Sequence, residues 1–171
     1  MALELVVEDG SIVQGANSYV DLVTARDYAA LRGKALPTVD DEAIPIVIAG
    51  TEYIESFSRR LRGLPVSPST QPLSFPRTGV TVDGYTYPDN VIPSPLLKVC
   101  LAAIVVAVDH ELVVNRSEPD ITREQIGPMS TSYGTSSIRP WSGPDFPLLD
   151  NLIRPFLGGA GVWQSIPIKK V

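Results

Sequence analysis

The sequence predicts a mainly α-helical domain, a small bundle of about four helices with long extended loops and a small β-hairpin. Three observations carry that reading. Four stretches place apolar residues at helical spacing, and one of them, Leu96 to Val108, is apolar nearly all round. The segments between them hold most of the 16 prolines and 13 glycines of the 171 residues, which demands long, shaped loops. The composition, 44% apolar and 19% charged, is globular rather than disordered. A chain of this length forms one domain and buries roughly 70% of its unfolded surface without disulfide or metal. Residues 1–157 read as a single domain with projecting arms at 63–93 and 116–144, and 158–171 as an extended tail.

The elements follow in order. Residues 3–7 are a short extended segment that ends at the turn Glu8-Asp9-Gly10. Asp21 is a candidate N-cap for a first helix over 22–32, with Gly33 at the left-handed C-terminal position. A second helix spans 41–62. Asp40, Asp41 and Glu42 sit at its positive end, and Pro45 falls in its first turn. Ala43, Val47, Gly50, Ile54, Phe57 and Leu61 form its packing stripe. Arg59, Arg60 and Arg62 crowd its last turn. Residues 63–95 hold seven prolines and no helical period, with a hairpin expected at Asp83-Gly84.

A third helix, 95–114, opens with Ser94 as cap and Pro95 as first helical residue, and it is the central core element. Residues 120–127 and 129–134 read as short extended segments around Gly127-Pro128. A last helix at about 146–157 is kinked or shortened by Pro155. Gly158, Gly159 and Gly161 uncouple an apolar tail carrying Trp163, Ile166 and Ile168, which is expected to dock on a neighbouring subunit.

The chemistry-bearing residues are few. A single cysteine, Cys100, lies mid-helix among apolar neighbours and reads as an inert buried thiol. A single histidine, His110, stands between Asp109 and Glu111, and helix neighbours cannot converge on one atom. Asp40, Asp41 and Glu42 with Glu52 or Glu55 fit a helix start and a solvated face better than a metal site. No catalytic, cofactor or metal residue is expected, and the chain reads as a non-enzyme. The net charge of −5 argues against strong global attraction to nucleic acid or anionic membrane. No segment reaches the ~20 apolar residues of a membrane span. Met1 to Gly10, with three acids and no base, is unlike a signal peptide. Arg59, Arg60, Arg62 and Arg77 are the best basic cluster, either a nucleic-acid or acidic-partner contact or dipole-complementing surface arginines. The stretch Gln71 to Gly79 carries Phe75 and Arg77, and reads as a lid over its own core or as an inter-subunit contact. Interface anchors are expected at Phe75, Arg77, Tyr85, Tyr87, Trp141, Trp163, Ile166 and Ile168.

Several segments together resemble a known family. They are Val6-Val7-Glu8-Asp9-Gly10, Ala16-Asn17-Ser18-Tyr19-Val20, Ser69-Thr70-Gln71-Pro72-Leu73, Phe75-Pro76-Arg77-Thr78-Gly79-Val80, Val91-Ile92-Pro93 and Arg123-Glu124-Gln125-Ile126-Gly127-Pro128. With the Phe146-Pro147 to Phe156-Leu157 helix they resemble tailed-phage head–tail connector (adaptor) proteins, also labelled DnaT-like single-strand-DNA-binding proteins. The family usually has Trp before its Pro-Arg, where this chain has Phe75, and the Trp163 to Val171 tail lies outside the pattern. The resemblance implies a structural virion protein of the capsid neck, made in the host cytoplasm. It would form a homo-oligomeric, twelve-fold ring between the portal protein and the tail or terminator protein, touching genomic DNA incidentally. The alternative it carries is a DnaT-like module that binds single-stranded nucleic acid.

Overall fold

A computed structural model describes residues 3–112, 123–126, 129–132 and 146–158. Trp141, Trp163, Ile166, Ile168 and most of the 116–144 segment lie outside the described residues. Four helices dominate: α1 (Leu22–Ala30), α2 (Asp40–Glu55), α3 (Ser94–Ala107) and α4 (Pro147–Ile153), the last continued by a 3-10 turn at Arg154–Phe156. Among the described residues, six short strands pair as three two-stranded antiparallel ribbons. The protein is mainly α with small hairpins, as the apolar periodicity predicts.

Helix α3 is the hub, packed against α1, α2 and α4. Every residue from Val99 to Ile104 is buried, so the helix has no solvent face over that stretch. It starts one position earlier than expected: Pro93 is the N-cap and Ser94 is already helical. It also ends at Ala107, short of 114, with Val105 to Val108 only half-buried. No described helix is long and apolar enough to cross a membrane.

The α2–α3 crossing depends on Gly50. A Cβ there would overlap the Ile104 side chain, and it would lie 3.0 Å from the Ile104 amide nitrogen and 3.1 Å from the Cys100 carbonyl oxygen. The two backbones therefore meet without an intervening side chain.

Helix α2 stops at Glu55 rather than 62. Ser56 Oγ donates to the Tyr53 carbonyl at 2.6 Å. Phe57 N to Ile54 O, Ser58 N to Glu55 O and Arg60 N to Phe57 O then close three-residue turns. The tightened chain keeps Phe57 and Leu61 in the core, so the whole expected stripe is buried although the helix is not continuous. Arg59, Arg60 and Arg62 consequently lie beyond the helix end and not in its last turn. Because α2 begins at Asp40, Pro45 sits in the second turn and removes the amide that would reach the Asp41 carbonyl.

Helix α1 is capped as expected. Asp21 Oδ1 accepts from the Thr24 amide at 2.8 Å and Oδ2 from the Thr24 hydroxyl at 2.6 Å. Gly33 takes the left-handed conformation, φ 69°. The two bonds from Thr24 hold the Asp21 carboxyl below its ordinary pKa of 3.8. A depressed carboxyl contributes stability that is present above the unfolded pKa and lost as pH falls through the folded one. Asp21→Ala should cost about 1 kcal/mol at pH 7. That difference should shrink as pH falls below the ordinary carboxyl pKa and vanish only below the depressed pKa of the folded protein, when urea unfolding of the two proteins is compared.

Ribbons β1 (Leu64–Pro65) with β2 (Arg77–Thr78), and β3 (Thr81–Val82) with β4 (Tyr85–Thr86), lie in the proline-rich segment. The second turns at Asp83 (φ 50°) and Gly84 (φ 82°). Two successive positive φ values make a type I′ turn, which suits Asp-Gly and the twist of a two-residue hairpin. Strands β5 (Arg123–Ile126) and β6 (Met129–Ser132) pair from Arg123↔Ser132 to Ile126↔Met129, and the turn expected at Gly127-Pro128 lies outside the described residues. Residues 3–7 form no strand beyond a single parallel bridge, Val7↔Ser18.

Candidate nucleic-acid interface

Much of the 63–93 segment, expected as a projecting arm, returns to the bundle. Phe75 is 1% exposed and Arg77 6%, so neither is a surface anchor. Phe75 meets Tyr19 and Phe156 edge-on, with centroids 6.4 Å away in both pairs. The Glu55 carboxylate takes Tyr19 Oη at 2.5 Å, Ser74 Oγ at 2.6 Å and the Ser74 amide. Tyr19 Oη in turn accepts the Phe75 amide at 3.0 Å. Burial, with the Glu55 carboxylate beside it, pushes the Tyr19 phenol well above its ordinary pKa.

Arg77 is not part of a basic patch. Its Nε donates to the Arg62 carbonyl at 2.8 Å, and its Nη2 to the carbonyls of Gly63 at 2.8 Å and Leu61 at 3.2 Å. Nη1 reaches the Ser74 carbonyl at 3.4 Å. The guanidinium fork therefore stitches the turn after α2 to the loop before β2. The Gln71 to Gly79 stretch is thus a lid over its own core.

This stitching sets the β3–β4 hairpin against the ends of α3 and α4. Between them lies a cleft of about 360 Å³, lined by Val82, Asp83, Tyr85, Tyr87, Pro95, Lys98, Asn151, Leu152, Pro155 and Phe156. Its walls are mostly apolar. Tyr85 and Tyr87 stand edge-to-face on its rim, with centroids 4.9 Å apart and planes at 85°. Tyr85 is 60% exposed, whereas Tyr87 packs partly against the core.

Cations adjoin the cleft. Lys98 is exposed on α3 within the lining. Arg62 Nη1 donates to the Thr81 carbonyl at 3.3 Å and Nε to the Leu157 carbonyl at 3.0 Å, which fixes this side chain between β3 and the 3-10 turn. Arg154 is exposed one residue before Pro155 of the lining, Arg59 and Arg60 are exposed after α2, and Gly158 N bonds the Arg60 carbonyl at 2.7 Å. Among the described residues, the ion pairs are Arg26–Asp40 at 2.8 Å and Lys34–Asp109 at 2.6 Å, both away from this end.

A family model described as "Putative DnaT-like ssDNA binding protein" matches residues 3–171. The chain belongs to this DnaT-like family. No curated protein and no solved structure matches it. The family description carries the nucleic-acid half of the sequence resemblance and does not extend to head–tail connection.

Other candidate residues of this DnaT-like protein stand apart from the cleft. The Cys100 thiol is buried against Thr51 Oγ1 at 3.6 Å, and burial pushes its pKa up to about 12. His110 is exposed, its ring 6.2 Å from that of Phe146. Among the described residues, no three metal-ligating side chains stand together, for Asp40 pairs with Arg26 and Glu55 serves Tyr19 and Ser74.

Sequence reasoning named Tyr85 and Tyr87 but missed Lys98 and Asn151. The signal for Lys98 was its position as the lone charge between Leu96 and Val108. A third residue it missed is Glu8, 2% exposed, whose carboxylate accepts the amides of Gly10, Ile12 and Val13 at 2.8 to 2.9 Å.

Proposed function

We propose that the chain binds single-stranded DNA, without catalysing a reaction, at the end of the molecule where the β3–β4 hairpin meets α3 and the 3-10 turn. The observation that carries this reading is the exposed Tyr85 ring, set edge-to-face on Tyr87, in a cleft that the exposed Lys98 also lines. Sequence-tolerant single-strand binding combines aromatic faces for the bases with cations for the backbone. Membership of the DnaT-like family supports the same reading. The net charge of −5 confines the attraction to this end and makes it sensitive to salt.

Anisotropy of a labelled thymidine oligonucleotide, titrated with protein at several salt concentrations, tests it. The expected result is an affinity that falls with salt by about 0.7 in log–log slope for each phosphate contacted. Duplex DNA of equal length should bind more weakly. No binding at low salt, or equal affinity for duplex, defeats the proposal.

A second reading is favoured by the resemblance to connector proteins and by exposed apolar residues on the β1 ribbon, Leu64 at 70% and Val66 at 39%. In that reading the chain is a structural component of a phage neck, a ring between portal and tail whose DNA contact is with the passing genome. Surfaces of this kind are covered by neighbouring subunits in assemblies. Light scattering decides between them. A ring-sized mass supports the connector, and a monomer that binds single strands supports the first reading.

A further inference from the structure

We propose that the cleft between the β3–β4 hairpin and the ends of α3 and α4 holds one unpaired nucleobase, with Tyr85 as its stacking face and Lys98 on the adjoining phosphate. The inference rests on the single-strand reading above and names its recognition element. A cleft of about 360 Å³ has room for one base. The two tyrosines meet edge-to-face, and the 60% exposure of Tyr85 leaves ring surface free for a base to stack on. Leu152, Pro155 and Phe156 supply apolar walls for the body of a base. The Asn151 side chain, on the rim, offers both a donor and an acceptor to a base edge. Asp83 lines the hairpin side, where a phosphate is repelled, so the backbone passes on the Lys98 side. Entry of a base demands that it be unpaired, which gives a structural origin for preference of single strands over duplex.

The test uses the full chain and a thymidine oligonucleotide carrying 5-iodouracil, with Tyr85→Ala, Lys98→Met and an abasic oligonucleotide as comparisons. Tyr85 is exposed, so circular dichroism of Tyr85→Ala should match the wild type. Its affinity should fall at least fivefold with an unchanged salt slope, as expected for loss of one stacked base. Lys98→Met should flatten the slope by about 0.7. Photocrosslinks should map to Tyr85 or Tyr87, and the abasic oligonucleotide should bind wild type and Tyr85→Ala alike. Wild-type affinity in Tyr85→Ala, with crosslinks elsewhere, overturns the base site and leaves single-strand binding intact. Failure of the wild type to bind any single strand overturns both.

Discussion

Replacing Arg77 by methionine should destabilise the protein by about 3–5 kcal/mol, a large share of the 5–15 kcal/mol that holds a typical domain together. The side chain is 6% exposed and contributes all of its bonds to backbone carbonyls, those of Leu61, Arg62, Gly63 and Ser74. Burial draws its pKa below the ordinary arginine value, while Glu55 and Tyr19 oppose that pull. Methionine fills a similar volume but leaves those carbonyls without a donor in a dry site, and each orphaned group costs on the order of 1–3 kcal/mol. Lysine keeps the charge but cannot span carbonyls on two segments at once. The urea midpoints should therefore run wild type above Arg77→Lys above Arg77→Met. A methionine variant that unfolds at the wild-type midpoint would show that the fork is dispensable.

Ile104→Asp should leave the chain unfolded, whereas Val106→Asp should fold with reduced stability. Ile104 is fully buried and faces Gly50, where the α2 and α3 backbones are closest. A carboxylate there has neither water nor a cation, and burying it uncompensated exceeds the stability of the domain. Val106 lies two residues on, where α3 is only half-buried, so its carboxylate can turn to solvent. Circular dichroism and thermal melts of the two variants separate the cases. Equal melting of both would mean that the buried face of α3 is misassigned.

The helices were legible because their cause is local. Asp21 caps α1, the stripe from Ala43 to Leu61 faces one way, and Leu96 to Val108 has no polar side on which to rest. The hairpin at Asp83-Gly84 was legible because few dipeptides accept two positive φ values in succession. The fates of Phe75, Arg77 and Glu8 were not. An arginine bonded to carbonyls on distant segments leaves no periodic trace, and a glutamate enclosed by the amides of its own loop looks like any turn residue. The candidate site was half visible: Tyr85 and Tyr87 stand out as aromatics in a polar loop, but only the fold brings Lys98 and Asn151 beside them.

The anchoring of Leu3 and Gly158 at opposite ends of α2 gives the molecule a direction. Leu3 N bonds Asp41 at the start of α2, and Gly158 N bonds Arg60 beyond its end. A helix of 16 residues separates these anchors by roughly 24 Å. Dyes attached at positions 3 and 158 would thus stand near opposite ends of α2, and energy transfer between them would measure that span. In a stack of such molecules, head and foot would be distinguishable, and only one pole would carry the tyrosine cleft.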